Sequence, residues 1–288
     1  MATRQAQRLA RLALAPSIGA LSMLAFVPLA LVFYFAFLRY NLQDPENLRW
    51  FGWNNFYYFL KDPYFVKNLI NTLLLVGGVI VTTVVGGIAL AILFDQPFWG
   101  RGLARVLMIS PFFILPTVSS MVWKNLIMHP QFGLFAEIQS WFGVIQPFRW
   151  FEQTPLFSVG LIVAWQWLPF AALILLTALQ SLDEEQKDAA AMDGAKSWNF
   201  FWHIILPHLA RPITVVVLIQ TIFIMNTFAE IKVTSVGGFA GNLTYLVFSR
   251  LQNDNDVGAA AAGGVIAVIL ANLVSIFLVR LMGKNLDN

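Results

Sequence analysis

Long apolar runs alternate with short polar stretches along the 288 residues of the chain. A helix needs about 20 apolar residues in succession to cross a bilayer, and six runs are long enough. They predict spans over about residues 13–37, 69–94, 106–128, 157–178, 212–231 and 257–282. The fifth is the least uniform, because it ends in Asn226, Thr227 and Glu230. Arg4, Arg8 and Arg11 precede the first run as they would precede a secretory leader. A leader's apolar core is only about 7–15 residues, so this run is expected to remain as a span. The polar stretches 39–68 and 129–156 are rich in Trp, Phe and Tyr. NLRWFGWNNFYYFLKDPYF reads as an interfacial segment, either a plain aromatic belt or a face for a partner. Residues 1–288 read as one transmembrane domain, with a first span at 13–37, a core at 69–282 and a polar loop at 183–207.

Composition agrees with lipid as the main solvent. The chain is 58% hydrophobic and 11% charged, with a mean hydropathy of +0.70, whereas soluble domains are about a quarter charged. The fold class expected is all-α, a polytopic membrane protein with six transmembrane helices. With the N-terminus inside, ten basic residues fall on the cytoplasmic side and eight outside. The N-terminal cluster decides the orientation, since the first helix usually dominates, and six spans then return the C-terminus to the cytoplasm. A net charge of +3 is ordinary for a membrane protein and implies no nucleic acid.

Small residues mark where helices can approach. Gly78, Thr82 and Gly86 share one face of the second span, and VGAAAAGG opens the sixth. Such faces allow close backbone packing, within the subunit or against a second membrane subunit.

Chemistry of the enzymatic kind is missing. There is no cysteine, and His129, His203 and His208 have no metal-ligand spacing. GAKS at 194–197 is not a phosphate loop, because Ala195 precedes Lys196 and residue 191 is Ala. Lys124 and Glu230 lie near span ends, whereas ion-coupled carriers place carboxylates or histidines deep in a span. Any transport must then draw its energy from a partner.

The polar loop after the fourth run reads SLDEEQKDAAAMDGAKSWNFFWHIILP. Glu184, Glu185 and Asp188 suit a helix start, three alanines propagate it, and Asp193-Gly194 breaks it. A second helix is expected from Ser197 to Pro207, the two lying parallel to the membrane. An amphipathic helix on the headgroups would read the same way.

Spacing adds a resemblance. Asp188-Ala189-Ala190, Gly194 six residues after Asp188, then Ile204, Leu206 and Pro207 resemble the EAA motif of ABC importer permeases. That motif is Glu-Ala-Ala, three residues, Gly, nine residues, Ile-x-Leu-Pro, and Asp188 stands here for Glu. AMDGA at 191–195 is similar to the carbohydrate-type members. The likeness extends to RLALAPSIGALSMLAFVPLA, FGWNNFYYFLKDPYFVKNLINTL and FAEIKVTSVGGFAGNLTYLVFSR. In the last, Gly237-Gly238-Phe239 replaces the usual Gly-Gly-Pro. GGVIAVILANLVSIFLVR looks most like the sugar-alcohol permeases.

The resemblance implies the type I ABC importer permease fold, in the bacterial cytoplasmic membrane. It implies a second permease subunit in a heterodimer, two ATP-binding cassette subunits and an extracytoplasmic solute-binding protein. ATP is used by the partners, and the chain carries no cofactor of its own. Asp188, Ala189, Ala190 and Gly194, with Asp193 and Ala195, are implied as the contact with the ATPase.

For a sugar or polyol path, Gln220, Phe223, Thr227 and Glu230 recur on one helical face, bordered by Asn226. Trp165, Gln166 and Trp167 sit near the middle of the fourth span. Amides and flat rings suit a polyol, and they equally suit hydrogen bonding between helices. A carrier or channel acting alone, or a membrane scaffold, remains the alternative.

Overall fold

A computed structural model describes residues 4–283. In order it contains α1 (Arg4–Ala36), β1 (Leu38–Arg39), β2 (Arg49–Trp50), α2 (Asn54–Leu60), α3 (Phe65–Asp95), α4 (Arg101–Ile109) and α5 (Pro116–Val122). There follow α6 (Leu134–Trp141), α7 (Trp150–Gln153), α8 (Pro155–Leu179), α9 (Glu184–Met192), α10 (Ser197–Phe200) and α11 (Leu206–Ile224). The last are α12 (Ala229–Thr234), α13 (Gly237–Ala240), α14 (Leu243–Gln252) and α15 (Val257–Gly283).

Among the described residues, five helices are long and apolar enough to cross a membrane: Ala13–Ala36, Phe65–Asp95, Pro155–Leu179, Ser197–Ile224 and Val257–Leu278. Arg101–Phe113 with Pro116–Ile127 makes a sixth only as a pair bent by 105°. The expected continuous span at 106–128 is therefore broken. Pro116 is the cause: Ile114 and Leu115 before it are extended, with ψ of 132° and 134°, as a following proline demands.

The expected span at 212–231 also differs. Its helix starts at Ser197 and ends at Ile224, so the elbow's second helix does not stop at Pro207. Residues 201–205 form a π turn, and Pro207 follows it inside this continuous helix, where it has no N–H to give the preceding turn.

The chain divides into two compact units. The first comprises Met1–Phe65 and Leu246–Ile269. Here the amide of the buried Asn55 donates to the carbonyls of Ala36 and Leu38, at 2.9 and 2.8 Å, and so ties the end of α1 to α2. Arg250 pairs with Asp62, whose side chain is fully buried, and with Asp254 at 2.6 Å. Burial opposes the Arg250 charge, yet the hydrogen bonds to the two carboxylates outweigh it and its pKa is raised.

The second unit comprises Val66–Tyr245 and Leu270–Asn288. Gly86 and Gly87 pack α3 onto α8: a Cβ on Gly87 would meet Ala171 at 3.0 Å. Gly78 of the same small face meets nothing within 4 Å. It borders an open groove with Thr82, Gly160 and Ala164. One cluster joins Leu75 and Val79 to Val159, Ile224 and Ile231, and another joins Phe94 to Leu175, Ile205 and Leu209.

Candidate functional site

The elbow at 183–207 is built by its two helix ends. Asp183 caps α9 through Oδ1, which accepts from the Glu185 N–H at 3.3 Å, and Glu184 and Glu185 occupy the first turn. At the other end Gly194 adopts φ +69°, and the Ala195 N–H donates to the Ala190 carbonyl at 3.0 Å. This is a Schellman closure, with glycine at the left-handed position. Ala190 is buried, while Asp188, Ala189, Asp193, Gly194 and Ala195 are exposed.

Two neighbours not singled out in the sequence share this surface. Met192 is 88% exposed and Trp198 is 69% exposed. Their signal was present: each is a large apolar side chain inside a polar loop. The buried side of the elbow continues into the core. Ala190, Phe200, Phe201 and Ile205 line a cavity of about 380 Å³ with Ile92 and Gln96 from the end of α3. A His208 ring nitrogen lies 2.8 Å from the Ala178 carbonyl, which links α11 to the last turn of α8. The elbow thus rests on the ends of three long helices.

The second set of residues surrounds two broken helices. At the α4–α5 break the Gln166 amide donates to the Ile114 carbonyl at 3.0 Å. At the α11–α12 break Asn226 Nδ2 donates to the Ile222 carbonyl at 2.7 Å. The Thr244 hydroxyl donates to the Met225 carbonyl at 3.1 Å, and the Asn242 amide donates to that of Thr227. Irregular backbone in an apolar environment persists only when its freed carbonyls find donors. Side chains supply them at both breaks.

α12 packs against α5, so the two breaks meet within one unit. Lys124 reaches the end of α12, donating to the Val233 carbonyl at 3.0 Å and the Ser235 hydroxyl at 3.3 Å. Ser119, Ser120, Thr227 and Glu230 are buried around this contact. The expected single face of Gln220, Phe223, Thr227 and Glu230 does not form, because α11 ends at Ile224 and places the last two beyond its end.

Gln220 is fully buried; its Oε1 accepts from the Thr83 hydroxyl at 2.6 Å and its Nε2 donates to the Trp167 carbonyl at 3.1 Å. It joins α3, α8 and α11. Trp165 is half-buried, edge-on to Trp123 at 5.7 Å. The exposed members are Asn226 and Phe223. Phe223 lies 5.3 Å from Trp167, which in turn meets Phe112 at 5.6 Å. Phe112, missed in the sequence, joins this aromatic patch because the break turns its segment toward α8.

Residues 83–288 match the family described as the binding-protein-dependent transport system inner membrane component. A probable ABC transporter permease of Sinorhizobium fredii is 31% identical over 266 residues, covering 90% of this chain and 85% of its own. The trehalose transport system permease protein SugA of Mycobacterium tuberculosis is 27% identical over 281 residues, 96% and 89% of the two chains. A chain from the crystal structure of a bacterial ABC transporter that imports the acidic polysaccharide alginate has a TM-score of 0.82 at 20% identity, covering 97% and 96%, which establishes a shared fold. The matched region holds the elbow and both broken helices, and the chain belongs to the binding-protein-dependent inner membrane components, the permeases of ABC importers.

Proposed function

We propose that this chain is the permease subunit of an ATP-driven importer for a sugar or sugar alcohol, moved by separate ATPase subunits through the elbow at 183–207. The carrying observation is that elbow. Small exposed residues (Ala189, Gly194, Ala195) sit beside exposed Met192 and Trp198, and its buried side rests on α3, α8 and α11. A partner gripping it would move three long helices as one packed body, since packed interiors transmit displacement rather than absorb it.

The elbow and both termini then face the cytoplasm, in line with the basic N-terminal cluster. The partners are a second permease subunit in a heterodimer, two ATP-binding cassette subunits, and an extracytoplasmic binding protein that delivers the solute. The solute passes beside the two breaks, where Phe223 and Trp167 offer flat surfaces and Asn226 an amide. Gln166 and Gln220 support this path from behind, because their amides are committed to Ile114 and Trp167. The relative from a trehalose system supports a carbohydrate.

Uptake by membrane vesicles tests the reading. Gly194→Trp should insert normally and lose uptake, and undiminished uptake would overturn the docking role. Solute movement in liposomes holding this chain alone would replace the importer with a carrier.

A further inference from the structure

The apolar segment of α1 ends at Ala36, and β1 starts two residues later. That fixes the β1–β2 hairpin at headgroup depth, where Trp and Tyr concentrate. Trp50, Trp53, Tyr57 and Tyr58 are each more than half exposed. They are held in place: Phe37 stacks on Trp50 at 5.5 Å and meets Trp53 edge-on at 5.0 Å.

Inside the hairpin Arg39 lies directly opposite Arg49. Facing residues of an antiparallel pair share one side of the ribbon, with Cβ atoms about 5 Å apart. Both arginines are exposed, and among the described residues neither forms an ion pair with a carboxylate. Like charges placed opposite each other are unfavourable. Arg250, in the same unit, is held by two carboxylates, whereas this pair has been left none. Arg39 also lines an open cavity of about 430 Å³ with Asn55 and Tyr58. Of the other charges lining it, Arg250 is paired with Asp62 and Asp254, and Asp256 accepts the Ala259 N–H and keeps its negative charge without an ion pair to Arg39.

We propose that Arg39 and Arg49 form a binding site for the phosphate of an anionic phospholipid headgroup. Two planar guanidinium groups on one side can bracket a phosphate with paired N–H donors, while the neighbouring rings rest at the acyl boundary. Free phosphate or an acidic protein face would offer similar charge. The lipid is favoured because the end of α1 places both arginines in the layer where headgroup phosphates lie.

The test uses the assembled transporter in phosphatidylcholine nanodiscs doped with phosphatidylglycerol, with retained lipid measured by native mass spectrometry. Arg39→Gln with Arg49→Gln should lower retained phosphatidylglycerol about thirty-fold, and each single change about five-fold. Lys61→Gln, outside the pair, should leave it unchanged. Undiminished retention in the double variant overturns the proposal. So does displacement of the lipid by millimolar inorganic phosphate, which would mark a free-anion site. Unchanged retention with weakened docking of the solute-binding protein would make the pair a protein contact instead. If the double variant fails to assemble, the single changes decide, and unchanged retention in both overturns the site.

Discussion

The N–H of Ala195 reaches back to the carbonyl of Ala190 at 3.0 Å, across Gly194 at φ +69°. That bond joins the sixth residue of a helix end to the first, and it fixes how far a glycine must lie from the alanines it follows. The interval between Asp188-Ala189-Ala190 and Gly194 is therefore set by the way α9 terminates. The exposed surface is a consequence of that termination.

The cost of losing the glycine follows from its surroundings. A Cβ on Gly194 would meet nothing within 4 Å, so Gly194→Ala is penalised by torsion alone, about 1–2 kcal/mol. We expect ATPase activity stimulated by solute and binding protein to fall about five- to thirty-fold, with insertion unchanged. Gly194→Asn should lose less, because Asn tolerates the left-handed region. A larger loss for Gly194→Asn than for Gly194→Ala would mean that bulk at the surface, not the turn, governs coupling.

Gln220 gives a test of packing against solute contact. Removing its amide takes the better acceptor from the buried Thr83 hydroxyl, which keeps only the Ile80 carbonyl at 3.1 Å, and takes a donor from the Trp167 carbonyl, at about 1–3 kcal/mol. Gln220→Leu alone should lower the thermal midpoint of the purified complex. Adding Thr83→Val should restore part of it, because the buried hydroxyl is then gone while the Trp167 carbonyl still lacks the Gln220 donor. Uptake affinity should stay the same in the double variant. A changed affinity would move Gln220 into the solute path.

Long apolar runs and the glycine of the elbow were legible, since each depends on local chemistry. The runs around 69–94, 157–178 and 257–282 match α3, α8 and α15 within a few residues. The break near Pro116 was written in the sequence, but hydropathy averages across it, and a run of the right length looks whole. The end of α11 at Ile224 was less legible. Donors for the carbonyls just past it come from Asn242 and Thr244, 15 and 19 residues along the chain. Periodicity aligned Gln220 with Glu230, and it has no means of seeing that the helix stops between them. Gln166 and Gln220 stood out because an amide in an apolar run invites a reading as solute contact or as hydrogen bonding between helices. Their partners, Ile114, Thr83 and Trp167, become visible only once the helices are packed.

Gly237 replaces a turn signal with a steric one. The short α13 leaves no room there, since a Cβ would run into the ring of Tyr245. Gly237→Ala should push the tip of the Tyr245 ring aside and lower the amount of folded protein in membranes. Gly237→Ala with Tyr245→Ala should recover part of it by vacating the ring's space. If the double variant is no better than the single one, backbone conformation rather than the ring explains the glycine.

Arg250 anchors the fully buried side chain of Asp62. Arg250→Gln would leave that carboxylate without its cation, while the third of Arg250 that is exposed softens the loss through solvent screening. We expect destabilisation of roughly 2 kcal/mol, read as a lower thermal midpoint. Arg250→Gln with Asp62→Asn should be milder than the single change, because no unpaired charge remains buried. A single variant as stable as the parent would show that water already satisfies Asp62.

Asn226 separates the two roles that the broken helices could have. Its amide caps the Ile222 carbonyl at 2.7 Å, yet the residue is exposed beside Phe223. Asn226→Ala removes both the cap and the exposed amide. Asn226→Ser keeps a donor that can reach the carbonyl four residues back, as Ser120 reaches Pro116 at 2.7 Å, but loses the exposed amide. Loss of the cap alone should cost about 1 kcal/mol of stability and leave uptake kinetics intact. If the amide also meets the solute, both variants should lower uptake about tenfold while the basal ATPase rate and assembly with the partners are preserved. Vesicle uptake and ATPase rate measured on the same preparations decide it, and parallel loss of both would assign Asn226 to holding the break closed.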